Sequence, residues 1–99
     1  MNRNQIAFIF NSQLKETEIE ARNLVNSLDI NDRAWICSAA ELVDKSDALD
    51  ETSLLIVVGG DGTILRTIRT VSAYNIPVLG VNMGKVGFMA ELRPDEAIA

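Results

Sequence analysis

Five consecutive apolar residues, Leu54-Leu55-Ile56-Val57-Val58, run straight into Gly59-Gly60-Asp61-Gly62-Thr63. A strand with one wet face alternates apolar and polar residues. An unbroken apolar run reads instead as a strand buried on both faces, inside a parallel sheet. The glycines that follow let the backbone turn sharply and let a ligand come close. Asp61 falls where the next helix should start. A turn built only to hold phosphate would exclude a carboxylate, because like charges repel. An acid at its centre points to a site that admits a polyanion and also handles a hydroxyl or a metal. Phosphoryl transfer onto an alcohol and metal-assisted nucleotide binding both meet that description.

The rest of the chain alternates short apolar runs with helical periodicity. Gln5 to Phe10, Arg33 to Ser38, Ser53 to Val58 and Pro77 to Val81 read as strands. Leu14 to Leu28 reads as a helix with Leu14, Ala21, Leu24, Val25 and Leu28 on one stripe and Ser12 as its N-cap. Ala39 to Val43 reads as a short helix, followed by an acidic connection from Asp44 to Glu51. Thr63 to Tyr74 reads as a helix with Ile64, Leu65, Ile68 and Val71 turned inward. Gly84 to Leu92 has no clear period. Pro94, followed by Asp95 and Glu96, has the pattern of a first helical turn. Strands alternating with helices imply an α/β fold with a mostly parallel sheet and right-handed crossovers. Ligands in such sheets bind at the carboxyl ends of the strands. The segments after the third and fourth strands therefore face one crevice if those strands are neighbours. The last helical pattern stops at Ala99, about one turn after it begins. The 99 residues are accordingly expected to be one truncated domain of a longer protein.

Composition removes several classes of function. The net charge is −5 and the nine basic residues are scattered, so no basic face is available for nucleic acid. The apolar run Ile6 to Phe10 is too short for a signal-peptide core or a membrane span. Cys37 is the only cysteine, which rules out an internal disulfide and fits a reducing, cytoplasmic compartment. Its neighbours make it a small core residue of the second strand. The chain contains no histidine, so proton transfer near neutral pH falls to a carboxylate, a tuned lysine or the substrate.

Two segments carry candidate chemistry. Gly59-Gly60-Asp61-Gly62-Thr63 is not a P-loop, because no Lys-Ser or Lys-Thr follows the glycines. It is not a dinucleotide fingerprint either, since Leu65 stands where the third glycine would be. A turn in which Asp61 merely caps the helix would not need three glycines around it. The alternative uses the helix N-terminus, whose free N–H groups attract anions. Asp61 there would be ionised, able to accept a proton or hold a metal-bound water. Thr63 would cap the helix or donate to phosphate. The second segment, Asn82-Met83-Gly84-Lys85-Val86-Gly87-Phe88, follows the fourth strand directly. Asn82 offers a donor and an acceptor, Gly84 and Gly87 permit close approach, and Phe88 offers a flat face for a purine or for the core. Arg66 and Lys85 are each either solvated cations or phosphate contacts.

The first segment resembles the signature of the superfamily of NAD kinases, diacylglycerol and sphingosine kinases and phosphofructokinases. The second resembles the NAD kinase version, and the Gly-Thr-x-Asn-Asp type motif of the lipid kinases is absent there. The likeness is strong from Leu54 to Leu92 and rests on element order alone from Met1 to Glu51. It implies a Rossmann-like three-layer domain, with a β-rich C-terminal domain that is absent from these residues. It implies transfer of the terminal phosphoryl group of ATP, or of polyphosphate, to the adenosine ribose 2′-hydroxyl of NAD, giving NADP, with a divalent ion, Mg²⁺. By this resemblance Asp61 is the general base. The resemblance also implies that Gly62 and Arg66 contact the dinucleotide and that Phe88 lines the adenine pocket. The reading of the two segments adds Gly60, Thr63, Asn82, Gly84 and Gly87 as nucleotide-binding positions, and no residue is expected to be a dedicated metal ligand. The partners implied are small nucleotides and further copies of the full-length chain, as a homodimer or homotetramer. The isolated chain is expected to lack turnover. Two alternatives remain open: a lipid or small-alcohol kinase of the same superfamily, and a non-catalytic nucleotide-binding module.

Overall fold

A computed structural model describes residues 4–82 and 89–92. Its centre is strand β3 (Thr52–Gly59), the apolar run with which the sequence announces itself. Leu55, Val57 and Val58 are fully buried and Ile56 is nearly so. Strand β1 (Gln5–Phe10) lies parallel beside it, and Ala7, Phe8 and Ile9 are equally inaccessible. Strand β2 (Ala34–Ser38) pairs with the outer side of β1, and β4 (Val78–Asn82) with the outer side of β3, both parallel. Strand β5 (Met89–Leu92) adds to β4 in the antiparallel sense, giving the order β2-β1-β3-β4-β5. The sheet is therefore mostly parallel, as the strand–helix alternation requires.

Side chains alternate across each strand, so the two central strands supply two cores. On one face Ala7, Ile9, Leu55 and Val57 pack with Ile68 and Val71 of helix α3 (Asp61–Val71) and with Leu42 and Leu49. On the other, Phe8, Phe10, Ile56 and Val58 meet Ala21 and Val25 of helix α1 (Lys15–Leu28). Helices on both faces make three layers of Rossmann-like type. Burial drives both Cys37, in β2, and its chemistry: the thiol is pushed up to about 11 and stays protonated at neutral pH.

Local differences from the sequence reading have local causes. Helix α1 begins after Leu14, which makes no side-chain cap, and Ser12 is not the N-cap. The buried hydroxyl of Thr17 organises this entry instead. It accepts from the Asn11 N–H at 2.9 Å and lies 2.7 Å from the Leu14 carbonyl, to which it donates. Thr17 thus takes a place on the inward stripe, while Leu14 and Leu28 are 44% and 53% exposed. Thr67 does the same in α3, donating to the Thr63 carbonyl at 2.9 Å, and Leu65 faces outward. Helix α3 starts two residues before Thr63 and gives way to a 3₁₀ turn at Ser72–Tyr74. The helix expected at Ala39 to Val43 is a 3₁₀ turn at Leu42–Asp44, because Ser38 and Glu41 bond each other across the corner. The acidic connection contains a short helix α2 (Ser46–Asp50), which buries Leu49. The pattern at Pro94 lies outside the described residues.

Candidate functional site

Four parallel strands deliver their carboxyl ends to one edge. Asn11 follows β1, Ala39 follows β2, Gly60 follows β3, and Asn82 closes β4. The connection leaving β1 packs as α1 on one face, and that leaving β3 packs as α3 on the other. Between β1 and β3 the chain therefore parts in opposite directions, which opens a crevice at the strand ends. A cavity of about 340 Å³ occupies it. Its walls are the turn Asn11, Ser12 and Gln13, the segment Ala39 and Ala40, and Gly62, Thr63 and Arg66 of α3.

Asp61 is the first residue of α3, and its side chain is exposed. It does not cap the helix, since Gly60 holds the cap position without any side-chain bond. Its carboxylate crosses instead to the neighbouring strand, where the Asn82 amide Nδ2 donates to Oδ1 at 2.8 Å. Strand register explains the meeting. Gly59 is paired with Asn82 across the parallel ladder, which sets the residue two beyond Gly59 beside the end of β4. A slip of one residue would send Asn82 to the opposite face. Asp61 of the first segment and Asn82, the one described residue of the second, thus meet at one mouth, as expected for neighbouring strands.

The glycines divide by cause. A Cβ on Gly59 would sit 3.0 Å from the Thr63 Cβ, so that position is small because α3 folds tightly onto β3. A Cβ on Gly60 or Gly62 would meet nothing within 4 Å. Gly60 has φ −94° and ψ −176°, an extended backbone open to any residue, and Gly62 is not left-handed either. The sharp turn therefore does not demand glycine at either place. What remains is open space beside the backbone N–H groups of a helix start, the arrangement that receives an anion.

Arg66 lies in the second turn of α3, exposed and on the cavity wall. Among the described residues it forms no ion pair. Thr63 lines the same cavity, with its methyl and hydroxyl close against Gly59. Gly84, Lys85, Gly87 and Phe88 lie outside the described residues. Asn11, Ser12 and Gln13 were not singled out as site residues from the sequence. The rule that placed the other segments at strand ends applies equally to the end of β1, and Asn11 also carries a turn signal, its Oδ1 accepting from the Gln13 N–H at 3.0 Å.

The described residues contain no group of three acidic, cysteine or histidine side chains able to hold a metal ion. The exposed Asp61 carboxylate is compatible with a divalent ion that would arrive on substrate phosphates and keep most of its water. No helix among the described residues is long and apolar enough to cross a membrane.

Residues 5–99 match the family described as ATP-NAD kinase N-terminal domain. The chain belongs to this family. Among similar proteins, the NAD kinase of Dehalococcoides mccartyi is 46% identical over 65 residues, spanning 66% of this chain and 23% of that protein. The NAD kinase of Corynebacterium glutamicum is 38% identical over 84 residues, 83% of this chain and 29% of its own length. That of Pseudomonas putida is 56% identical over 43 residues, 43% of this chain and 14% of its own. The chain thus spans less than a third of the curated relatives it matches. The family membership agrees with the resemblance drawn from the glycine segments.

Proposed function

We propose that the protein to which this domain belongs transfers the terminal phosphoryl group of ATP, or of polyphosphate, to the adenosine ribose 2′-hydroxyl of NAD, giving NADP. One observation carries the reading: an exposed carboxylate held at the mouth of the crevice, where Asn82 meets Asp61 at 2.8 Å. The names of the related enzymes and the family match point the same way.

In this reading the start of α3 parts two subsites. On the β1 side, the cavity takes the donor phosphates. Gly60 and Gly62 let phosphate oxygens reach the backbone N–H groups, Thr63 donates a hydrogen bond, and Arg66 supplies positive charge. On the β4 side, Asp61 meets the ribose hydroxyl. It orients that oxygen in line with the terminal phosphorus and takes its proton as the O–P bond forms and the bond to ADP breaks. Such a reaction needs positioning and charge neutralisation more than covalent help. A divalent ion such as Mg²⁺, brought in on ATP beside the exposed Asp61, would supply charge neutralisation of the triphosphate. Asn82, Gly84, Gly87 and Phe88 are assigned to the dinucleotide side. On the same reading the whole protein is a cytoplasmic homo-oligomer in which a further β-rich domain completes the walls.

The test is an assay of the full-length protein with ATP, Mg²⁺ and NAD, reading NADP. NADP should accumulate, and Asp61→Asn should lower kcat by about 10²–10⁴-fold, the usual share of a general base. Phosphorylation of diacylglycerol in place of NAD, or binding of nucleotide with no NADP formed by the wild type, would overturn the assignment.

A further inference from the structure

Asn82 has so far been grouped with the dinucleotide contacts. Its geometry gives it another task. A carboxylate accepts hydrogen bonds and donates none, so the amide must present Nδ2 to it, as it does at 2.8 Å from Oδ1. The donor comes from the last residue of β4, a strand locked to β3 by five consecutive register pairs ending at Gly59 and Asn82. The acceptor comes from the first residue of α3, on the far side of the Gly59-Gly60 turn. Asp61 is exposed, and a Cβ on either neighbouring glycine, Gly60 or Gly62, would meet nothing within 4 Å, so the bond from Asn82 is the contact that orients its carboxylate among the described residues.

Resting on the kinase reading above, we infer that Asn82 is a positioning residue for Asp61. By engaging Oδ1 it stops the carboxylate from rotating and presents Oδ2 to the substrate hydroxyl. The residue acts on the reaction through Asp61, and its contribution to holding NAD is secondary. Misplacing a reacting group by about 1 Å can cost on the order of 10²-fold in rate, so a loose carboxylate would be felt in kcat.

The experiment uses the full-length enzyme and four proteins: wild type, Asn82→Ala, Asp61→Asn and the double variant. Asn82→Ala should lower kcat by about 10–100-fold while the KM for NAD changes less than about threefold. In the Asp61→Asn background the same change should cost nothing further, because its target is already gone. Asn82→Asp, which keeps the shape and loses the donor, should fall at least as far as Asn82→Ala and covers the case in which alanine unfolds the end of β4. Calorimetric binding of NAD to Asn82→Ala should match the wild type within about threefold. A rise in KM and dissociation constant with kcat retained, or losses that multiply in the double variant, overturns the positioning role. A wild type that makes no NADP overturns the kinase reading instead, so the two failures are separable.

Discussion

A methyl group added at Gly59 would press on the Thr63 Cβ at 3.0 Å, whereas one added at Gly60 or Gly62 would enter open space. Gly59→Ala is therefore expected to lower stability by about 1–3 kcal/mol, the usual cost of overpacking. Gly60→Ala and Gly62→Ala should stay within about 1 kcal/mol of the wild type, since neither needs a left-handed backbone. Chemical denaturation measures all three. The last two should nevertheless weaken binding of ATP in titration calorimetry, and unchanged affinity in both would remove the anion-binding account of the turn. At this scale the sequence was informative where chemistry and backbone coincide. The glycine–acid cluster marked Asp61, and its expected nearness to Asn82 holds at 2.8 Å. The separate reasons for three adjacent glycines were not legible, because packing against Thr63 depends on the angle at which α3 leaves the sheet.

Elements are held at their ends by short polar side chains. Glu41 Oε1 accepts from both the N–H and the hydroxyl of Ser38 at 3.0 Å, closing the corner after β2. The backbone bond, then the hydroxyl, holds its carboxyl below the usual value of 4.5. A depressed folded-state value means that this contribution to stability is complete above the unfolded value and disappears as pH falls through the folded one. The gap in Tm between wild type and Glu41→Gln should accordingly be largest near about pH 7 and narrow steadily as the pH is taken below the usual carboxyl value of 4.5. A gap independent of pH would assign the effect to packing. The same polar ends explain which boundaries could be read from sequence. Strand β1 and the end of α1 follow apolar pattern and are found where expected. The start of α1 and the corner after β2 depend on Thr17 and Glu41 reaching back to backbone groups. Apolar periodicity contains no signal for either, and both Thr17 and Thr67 occupy inward positions that a hydrophobic stripe leaves unassigned.

Across the molecule, strand order decides where function can sit. The order β2-β1-β3-β4-β5 puts the departure point of α1 next to that of α3, and the cavity follows from that topology. The parallel sheet and its layers were readable from the alternation of runs. Strand β5 was not, because a four-residue strand next to glycines has too little pattern to identify. The domain spans 23–29% of the two relatives that it matches over most of its length. On the two-subsite reading it holds the base and the donor cavity but only part of the dinucleotide wall. The isolated 99-residue chain should therefore yield no NADP from ATP, Mg²⁺ and NAD in a coupled spectrophotometric assay, and turnover by the pure chain would refute this.

Far from that edge, the half-buried Trp35 indole donates to Thr52 Oγ1 at 3.0 Å, and Thr52 donates in turn to the Ala48 carbonyl at 2.7 Å. It is the lone tryptophan of the chain, anchored to the opposite end of β3 from the glycine turn, about 20 Å along the strand. Nature has thereby installed a fluorescent gauge at the quiet rim. Its emission should follow unfolding of the framework and change little when nucleotide is added at the other rim, so a fluorescence titration beside a melt should separate a variant that has unfolded from one that has lost its ligand.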